Sequence, residues 1–301
     1  MSTSTAVASV DQIPRVRRRR FKPHRIAIFV FLLMAAAFFC IPLYLIVVTS
    51  FKTMDQIRLG DALSLPTAWS LSGWRYAWSE ACSGTTCGGL GAGFLTSLKI
   101  LFPSLVLSIS LSVVTGYAMG IWRVRWANGL LFTMFICAFV PFQVIMFPLI
   151  KMVAGLGLFG TTWGVALVHA ALAMPILTLI FTNYFRGIPQ ELISAAMIDS
   201  GGFWKIFFQI ILPMSGNILI VVLILQITGI WNDFLVGVTF GQTIAQPMTV
   251  VLYNMNASST SGASYDVLMA GALLTAAPPL IIYFLLGKFF IQGITAGALK
   301  G

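Results

Sequence analysis

Long apolar runs separated by short polar segments set the pattern of this chain. Six of them are long enough to cross a bilayer's hydrocarbon core as helices, which takes about 20 residues. They are Ile26–Ser50, Phe94–Ile121, Leu130–Ile150, Trp163–Phe181, Ile218–Val236 and Val267–Phe290. The pattern predicts an all-α, polytopic membrane protein with six transmembrane helices. A β-barrel would read instead as short alternating strands. Pro42, Pro103, Pro141, Pro148, Pro175, Pro278 and Pro279 lie in these runs. Each removes a backbone donor, which neighbouring helices can compensate within a membrane, so they are read as packing kinks.

One polar interruption is too long for a simple connector. Asn183–Asn217 reads as a short helix (Pro189–Ile198), a turn (Asp199, Ser200, Gly201, Gly202), and a second amphipathic stretch ending at Leu212-Pro213. A helix-turn-helix of this size is expected to dock against a partner at the membrane surface.

Composition agrees with the pattern. Hydrophobic residues make up 58% of the chain and charged residues 9%, whereas soluble domains carry about a quarter charged residues. The charges set the orientation. Arg15, Arg17, Arg18, Arg19, Arg20, Lys22 and Arg25 precede the first span. Arg123, Arg125, Arg186, Lys205, Lys288 and Lys300 fall on the same side after an even number of crossings, while Lys52, Arg58, Arg75 and Lys151 are spread over the longer opposite loops. The positive-inside rule then puts both termini and the polar island in the cytoplasm. The expected organisation is a basic tail (1–25), a membrane domain (26–290) and a C-terminal tail (291–301). The net charge of +10 calls for no nucleic acid, because a basic run beside a first span anchors topology and meets anionic lipid headgroups. That span is too long for a signal-peptide core and is expected to be retained.

Cys40 and Cys137 lie inside spans and read as buried small hydrophobes. Cys82 and Cys87 share the loop Phe51–Gly93, on the oxidising face, where a short disulfide is expected. A metal site there lacks histidine or further cysteine. Trp69, Trp74 and Trp78 of this loop either sit at the membrane interface or pack a small cap. A second loop, Thr239–Asp266, holds a partly ordered MTVVLYNM run and a flexible serine-rich tract. Its Asn256-Ala257-Ser258 matches a glycosylation acceptor, a pattern too common to carry weight.

Catalytic signatures are missing. The chain has no G-x-x-x-x-G-K-[ST], no H-E-x-x-H and no G-x-S-x-G, and its few carboxylates are scattered. It is expected to be no enzyme and to bind no cofactor or metal itself. Polar groups at membrane depth are costly and therefore informative. Besides Lys99, which lies near enough to an interface to snorkel, they are Gln143, His169, Gln226, Asn232 and Asp233. They either hydrogen-bond neighbouring helices or line a path for a hydroxylated solute, and the residues alone leave both open.

Three passages resemble the permease subunits of carbohydrate ABC importers, in particular the smaller permease of the maltose type. The first is the EAA loop. Ser194-Ala195-Ala196, Asp199-Ser200-Gly201 and Leu212-Pro213 align with its Glu-Ala-Ala, Asp-Gly-Ala and Leu-Pro, preceded by Pro189-Gln190-Glu191-Leu192. Ser194 replaces the usual glutamate and Ser200 the usual glycine, while Glu191 lies one turn earlier. The second is Trp231-Asn232-Asp233-Phe234-Leu235, similar to a tryptophan-asparagine-glutamate-phenylalanine signature. The third is the C-terminal Phe290–Gly301, close to the family's terminal QGLTAGAVKG.

The resemblance implies a type I importer domain that forms half of an alternating-access pathway in a bacterial inner membrane. Its implied partners are a second homologous permease, two copies of an ABC ATPase carrying ATP and Mg, and an extracytoplasmic sugar-binding protein. Coupling would run through 189–213, with Glu191, Ser194, Ala195, Ala196, Asp199, Ser200, Gly201, Gly202, Leu212 and Pro213. The physical reading is compatible. Ala195 and Ala196 permit close approach of a partner, Gly201 and Gly202 adopt positive φ cheaply, and Phe203, Trp204, Phe207 and Phe208 can anchor the second helix to the bundle. The Trp78–Cys87 segment resembles permeases of glucose/mannose and α-glucoside importers, which implies a monosaccharide such as glucose. The rivals are an ion-coupled secondary transporter, for which Asp233 is the only intramembrane carboxylate and no internal repeat is visible, and a membrane scaffold without transport.

Overall fold

A computed structural model describes residues 23–60, 62–84, 86–122, 124–200, 202–257 and 263–298, without side chains at 23, 199, 200 and 289–298. The basic tail before Pro23, Arg123, Gly201 and Lys300 lie outside the described residues, as do the Asp199 and Ser200 side chains.

The chain divides into two units, Met1–Leu45 and Ile46–Gly301. The described part of the first belongs to helix α1 (Pro23–Ser50). Its large apolar side chains, among them Phe29, Phe31, Leu33, Phe38 and Phe39, are exposed.

The second unit is built on two long helices, α2 (Gly89–Gly120) and α5 (Thr162–Arg186), which pack along much of their length. Their close approach has a sequence cause. Ser104, Ser108, Ser112, Gly116 and Gly120 recur at every fourth position of α2 and are all buried. Small residues so spaced let helix backbones approach within a membrane. A Cβ on Gly116 would lie 2.6 Å from the Phe181 Cβ. The hydroxyls are used as well, Ser104 donating to Ile100 O (2.6 Å) within its helix and to Ala166 O (3.4 Å) on α5.

Two expected spans are broken. Leu130–Ile150 is a pair of helices, α3 (Ala127–Ala138) and α4 (Phe142–Gly155), bent by 103°. Pro141 sits at the bend. It has no N–H to continue the ladder and disfavours helical geometry in the residue before it. The expected span Ile218–Val236 is helix α8 (Gly216–Asn232), bent by 76° from the preceding α7 (Phe203–Met214). Helix α8 stops at Asn232, Asp233 is extended, and a short α9 (Leu235–Phe240) follows. Among the described residues, four helices are long and apolar enough to span on their own, or up to six if each bent pair counts as one. The fold is thus mainly helical, with two of the six expected spans present as broken pairs.

Helix α10 (Met248–Ala257) contains the MTVVLYNM run. Helix α11 (Tyr265–Ala298) continues past the expected end at Phe290 without a backbone break, through most of the expected tail 291–301. The tryptophans of the Phe51–Gly93 loop build a cap, with Trp74 stacked on Phe51 (5.4 Å) and Trp78 against Phe94 (5.9 Å). Strands β1 (Cys82–Ser83) and β2 (Thr86–Cys87) form a small hairpin closed by a Cys82–Cys87 disulfide. Cys40 and Cys137 are exposed rather than buried. Both sit among residues equally at home in lipid, so hydropathy does not separate the two environments.

Candidate functional site

The polar island folds into α6 (Gln190–Ser200) followed by α7. Helix α6 starts after Pro189, where the chain leaves α5 through a turn closed by Gly187 N–H to Tyr184 O and Ile188 N–H to Phe185 O. Its two faces differ sharply. Ile193 (2% exposed) and Ala196 (6%), one turn apart, enter an apolar cluster with Tyr117, Phe185, Ile206 and Phe207. Glu191, Ser194, Ala195 and Ile198 point outward, Ile198 at 86% exposure.

This sorts the expected residues. Ala195 is free to receive a partner, but Ala196 faces the chain's own core, because the helical phase set by Ile193 turns it inward. Gly202 is exposed and extended (φ −90°, ψ 133°), so Gly202 itself takes no positive φ. Of the four aromatics read as anchors, Phe207 is buried and Phe203 half-buried, whereas Trp204 and Phe208 are exposed and stack on one another at 6.0 Å. Leu212 is half-buried and Pro213 exposed.

Sequence reasoning missed Tyr117 and Tyr184. Tyr117, on α2, lies 4.6 Å from Phe203 and 5.2 Å from Phe207 between ring centroids, and its hydroxyl donates to Phe203 O (3.1 Å). Tyr184, on α5, donates to Met214 O (2.9 Å) at the far end of α7. Both ends of α7 are thus tied to the two central helices. Aromatic pairs add about 0.5–1.5 kcal/mol each beyond area burial, so these contacts hold the element against α2 and α5. The only sequence signal was an isolated tyrosine, Tyr117 near the end of an apolar run and Tyr184 just beyond the end of another. Tyr117→Phe keeps the ring and loses the hydroxyl. It is expected to cost about 1 kcal/mol locally, read as faster amide exchange across Phe203–Met214 with little change elsewhere.

Of the other polar residues, Asp233 and His169 meet at a second locus. Asp233 lies at the break between α8 and α9, and its Oδ2 accepts from Val236 N–H (2.8 Å) and Gly237 N–H (3.2 Å). His169 Nε2 on α5 is 3.9 Å from the same oxygen, and Thr249 on α10 donates to Asp233 O (2.7 Å). Asp233 is thus a helix cap that also gathers α5 and α10. Trp231 donates from its indole to Thr275 O (2.9 Å) on α11. Gln226 donates to Ser108 Oγ (3.3 Å), joining α8 to α2. Gln143, Asn232 and Lys99 are exposed. The hairpin docks on the loop before α10 and on α10 itself: Ser83 donates to Gln246 Oε1 (2.6 Å) and accepts from Asn254 (3.0 Å). Among the described residues, no group of three or more His, Cys, Asp and Glu could hold a metal.

Residues 108–296 match the family described as Binding-protein-dependent transport system inner membrane component. A probable ABC transporter permease protein of Pyrococcus horikoshii is 37% identical over 285 residues, covering 94% of this chain and 100% of that one. An arabinooligosaccharides transport system permease protein of Halalkalibacterium halodurans is 30% identical over 91% of this chain and 94% of its own length. An alpha-glucoside transport system permease protein of Rhizobium meliloti is 30% identical over 71% of this chain and 57% of its own. Among solved structures, a bacterial ABC transporter importing the acidic polysaccharide alginate contains a chain matching at TM-score 0.76 and 18% identity, covering 90% of this chain and 99% of that one. That likeness establishes the fold alone.

Proposed function

This chain belongs to the binding-protein-dependent transport system inner membrane component family and is a permease subunit of a sugar ABC importer; from that premise we propose that α6 and α7 receive the movement of a separate ATPase and pass it to α2 and α5. One observation carries the reading: α6 is an exposed surface helix whose inner face is clamped into an aromatic cluster shared with both central helices. A push on its outer face therefore displaces the long helices themselves. Glu191, Ser194, Ala195 and Ile198 would meet the ATPase.

The complete machine would hold a second homologous permease, two ATPase copies supplying ATP and Mg, and a sugar-binding protein outside. Both termini and α6 would face the cytoplasm, as the distribution of arginine and lysine favours. The hairpin at Cys82–Cys87 and the segment through α10 would receive the binding protein. The transported solute is proposed to be a monosaccharide such as glucose or mannose, or an α-glucoside. The segment Trp78–Cys87 and the alpha-glucoside relative support this reading. The ion-coupled alternative rested on Asp233, whose Oδ2 is engaged as a cap.

Ile198→Asp tests the docking role. In proteoliposomes holding the full complex, binding-protein-stimulated ATP hydrolysis and uptake should both fall roughly tenfold or more, the loss of one apolar interface anchor, with permease levels unchanged. Wild-type stimulation would remove α6 from the coupling path. Competition of uptake by glucose, mannose, maltose and arabinose tests the solute class separately, and failure of all the glucose-type sugars would reject it.

A further inference from the structure

We propose that this permease carries a binding site for a single anionic phospholipid at the ends of α2, α3 and α5, beside the α6 docking element. A cavity of about 420 Å³ lies there, lined by Met119, Val124, Arg125, Ala127, Asn128 and Arg186. Arg125 and Arg186 are both exposed, and among the described residues neither forms an ion pair. Arg186 is nonetheless held, donating through Nη2 to Asn128 Oδ1 at 2.9 Å. A guanidinium has five N–H donors in a fixed fork, so most remain for a ligand. Two arginines facing one cavity suit a phosphate, which arginine binds bidentately.

A second observation turns that phosphate into a lipid headgroup. The face of α3 that starts at Asn128 continues through Phe132, Phe135 and Phe139 at helical spacing. All three phenylalanines are exposed, and the rings of Phe135 and Phe139 lie 4.8 Å apart. Helix α3 has 12 residues and so runs about 18 Å, close to the ~15 Å of one leaflet's hydrocarbon. It ends at the 103° bend. A basic cavity at a span end and an apolar aromatic strip one leaflet long thus lie on the same face of one helix. A free phosphate would use only the first feature and a neutral lipid only the second. A lipid with a net negative headgroup uses both.

The place gives the site a consequence. Arg186 is the last residue of α5 and lies four positions before α6 begins, so a bound headgroup would brace the hinge through which the docking element joins the bundle.

Native mass spectrometry of the complete transporter, delipidated in mild detergent and then given phosphatidylglycerol or phosphatidylcholine, tests the proposal. Wild type should retain phosphatidylglycerol over phosphatidylcholine by roughly tenfold, the order that two arginines near a lipid surface supply. Arg125→Gln with Arg186→Gln should abolish the preference, and the corresponding double lysine variant should keep most of it. Phe132→Ser with Phe135→Ser should weaken retention of phosphatidylglycerol while leaving inorganic phosphate without measurable binding. Equal retention of the two lipids by wild type would overturn the site, as would an undiminished preference in the glutamine variant. Retention by the permease pair that disappears in the full complex would also overturn it, and would assign the arginines to the ATPase instead.

Discussion

Replacing Ala196 by arginine is expected to abolish ATP-driven uptake while leaving the permease inserted in the membrane. Ala196 lies at 6% exposure against a cluster that includes Ile193, Tyr117, Ile206 and Phe207. A guanidinium cannot be accommodated there without losing its hydration, at a cost on the order of several kcal/mol. The helix escapes that cost by undocking, because α6 has only 11 residues and little stability apart from its packing. The apolar spans enter the bilayer regardless, so membrane levels should remain near wild type while uptake falls by roughly a hundredfold, the scale of about 2.7 kcal/mol of lost coupling. Ala195→Arg is the necessary contrast. That side chain points outward, so α6 stays docked and only its meeting with the ATPase is obstructed. Limited proteolysis separates the two, since Ala196→Arg should open the Gly187–Gly202 region to cleavage and Ala195→Arg should not. Equal protection of both variants would show that the inward face at Ala196 does not hold α6 docked, even if both were inactive.

The contrast between these two alanines shows what the chain's letters reveal and what they withhold. The apolar runs and the polar island were legible because each is a bulk property of twenty or so residues. The inward turn of Ala196 was legible in principle, since it follows Ile193 by three positions on a short helix, but the family pattern drew both alanines outward. Trp204 and Phe208 were misread for a related reason. In a membrane protein an exposed aromatic and a buried one have the same composition, because lipid or a partner can cover what the chain does not. Cys137 illustrates the same blindness inside a span. The bend at Pro141 was marked by its proline, yet the proline inside α5, Pro175, interrupts nothing. Only tertiary packing decides which proline breaks its helix. The meeting of His169 with Asp233 had no local signal at all, since these residues approach only when α5 packs beside the α8–α9 break.

Gly116→Leu is expected to be among the most destabilising single changes in the chain, and here two physical effects oppose each other openly. Leucine is a better helix former than glycine by roughly 0.8–1 kcal/mol, so local propensity predicts a stabler α2. Packing predicts the reverse. A Cβ at this position would stand 2.6 Å from the Phe181 Cβ and 3.0 Å from the Thr182 N, and neither atom can rotate away. The helices must separate, and the five-residue stripe of small side chains opens with them. The Ser104 to Ala166 contact across the crossing is lost, along with the seat of Tyr117 one residue away. Overpacking of a tight core typically costs about 1–3 kcal/mol, and here it acts on the interface that carries α6 and α7. The thermal midpoint of the detergent-solubilised complex should fall by several degrees for Gly116→Ala and further for Gly116→Leu. Gly129→Leu, at a glycine with open space around it, should change the midpoint little or raise it. If Gly116→Ala instead raised the midpoint, helix propensity would outweigh contact at this crossing, and α2 and α5 would be too loosely joined to carry movement from α6 into the membrane.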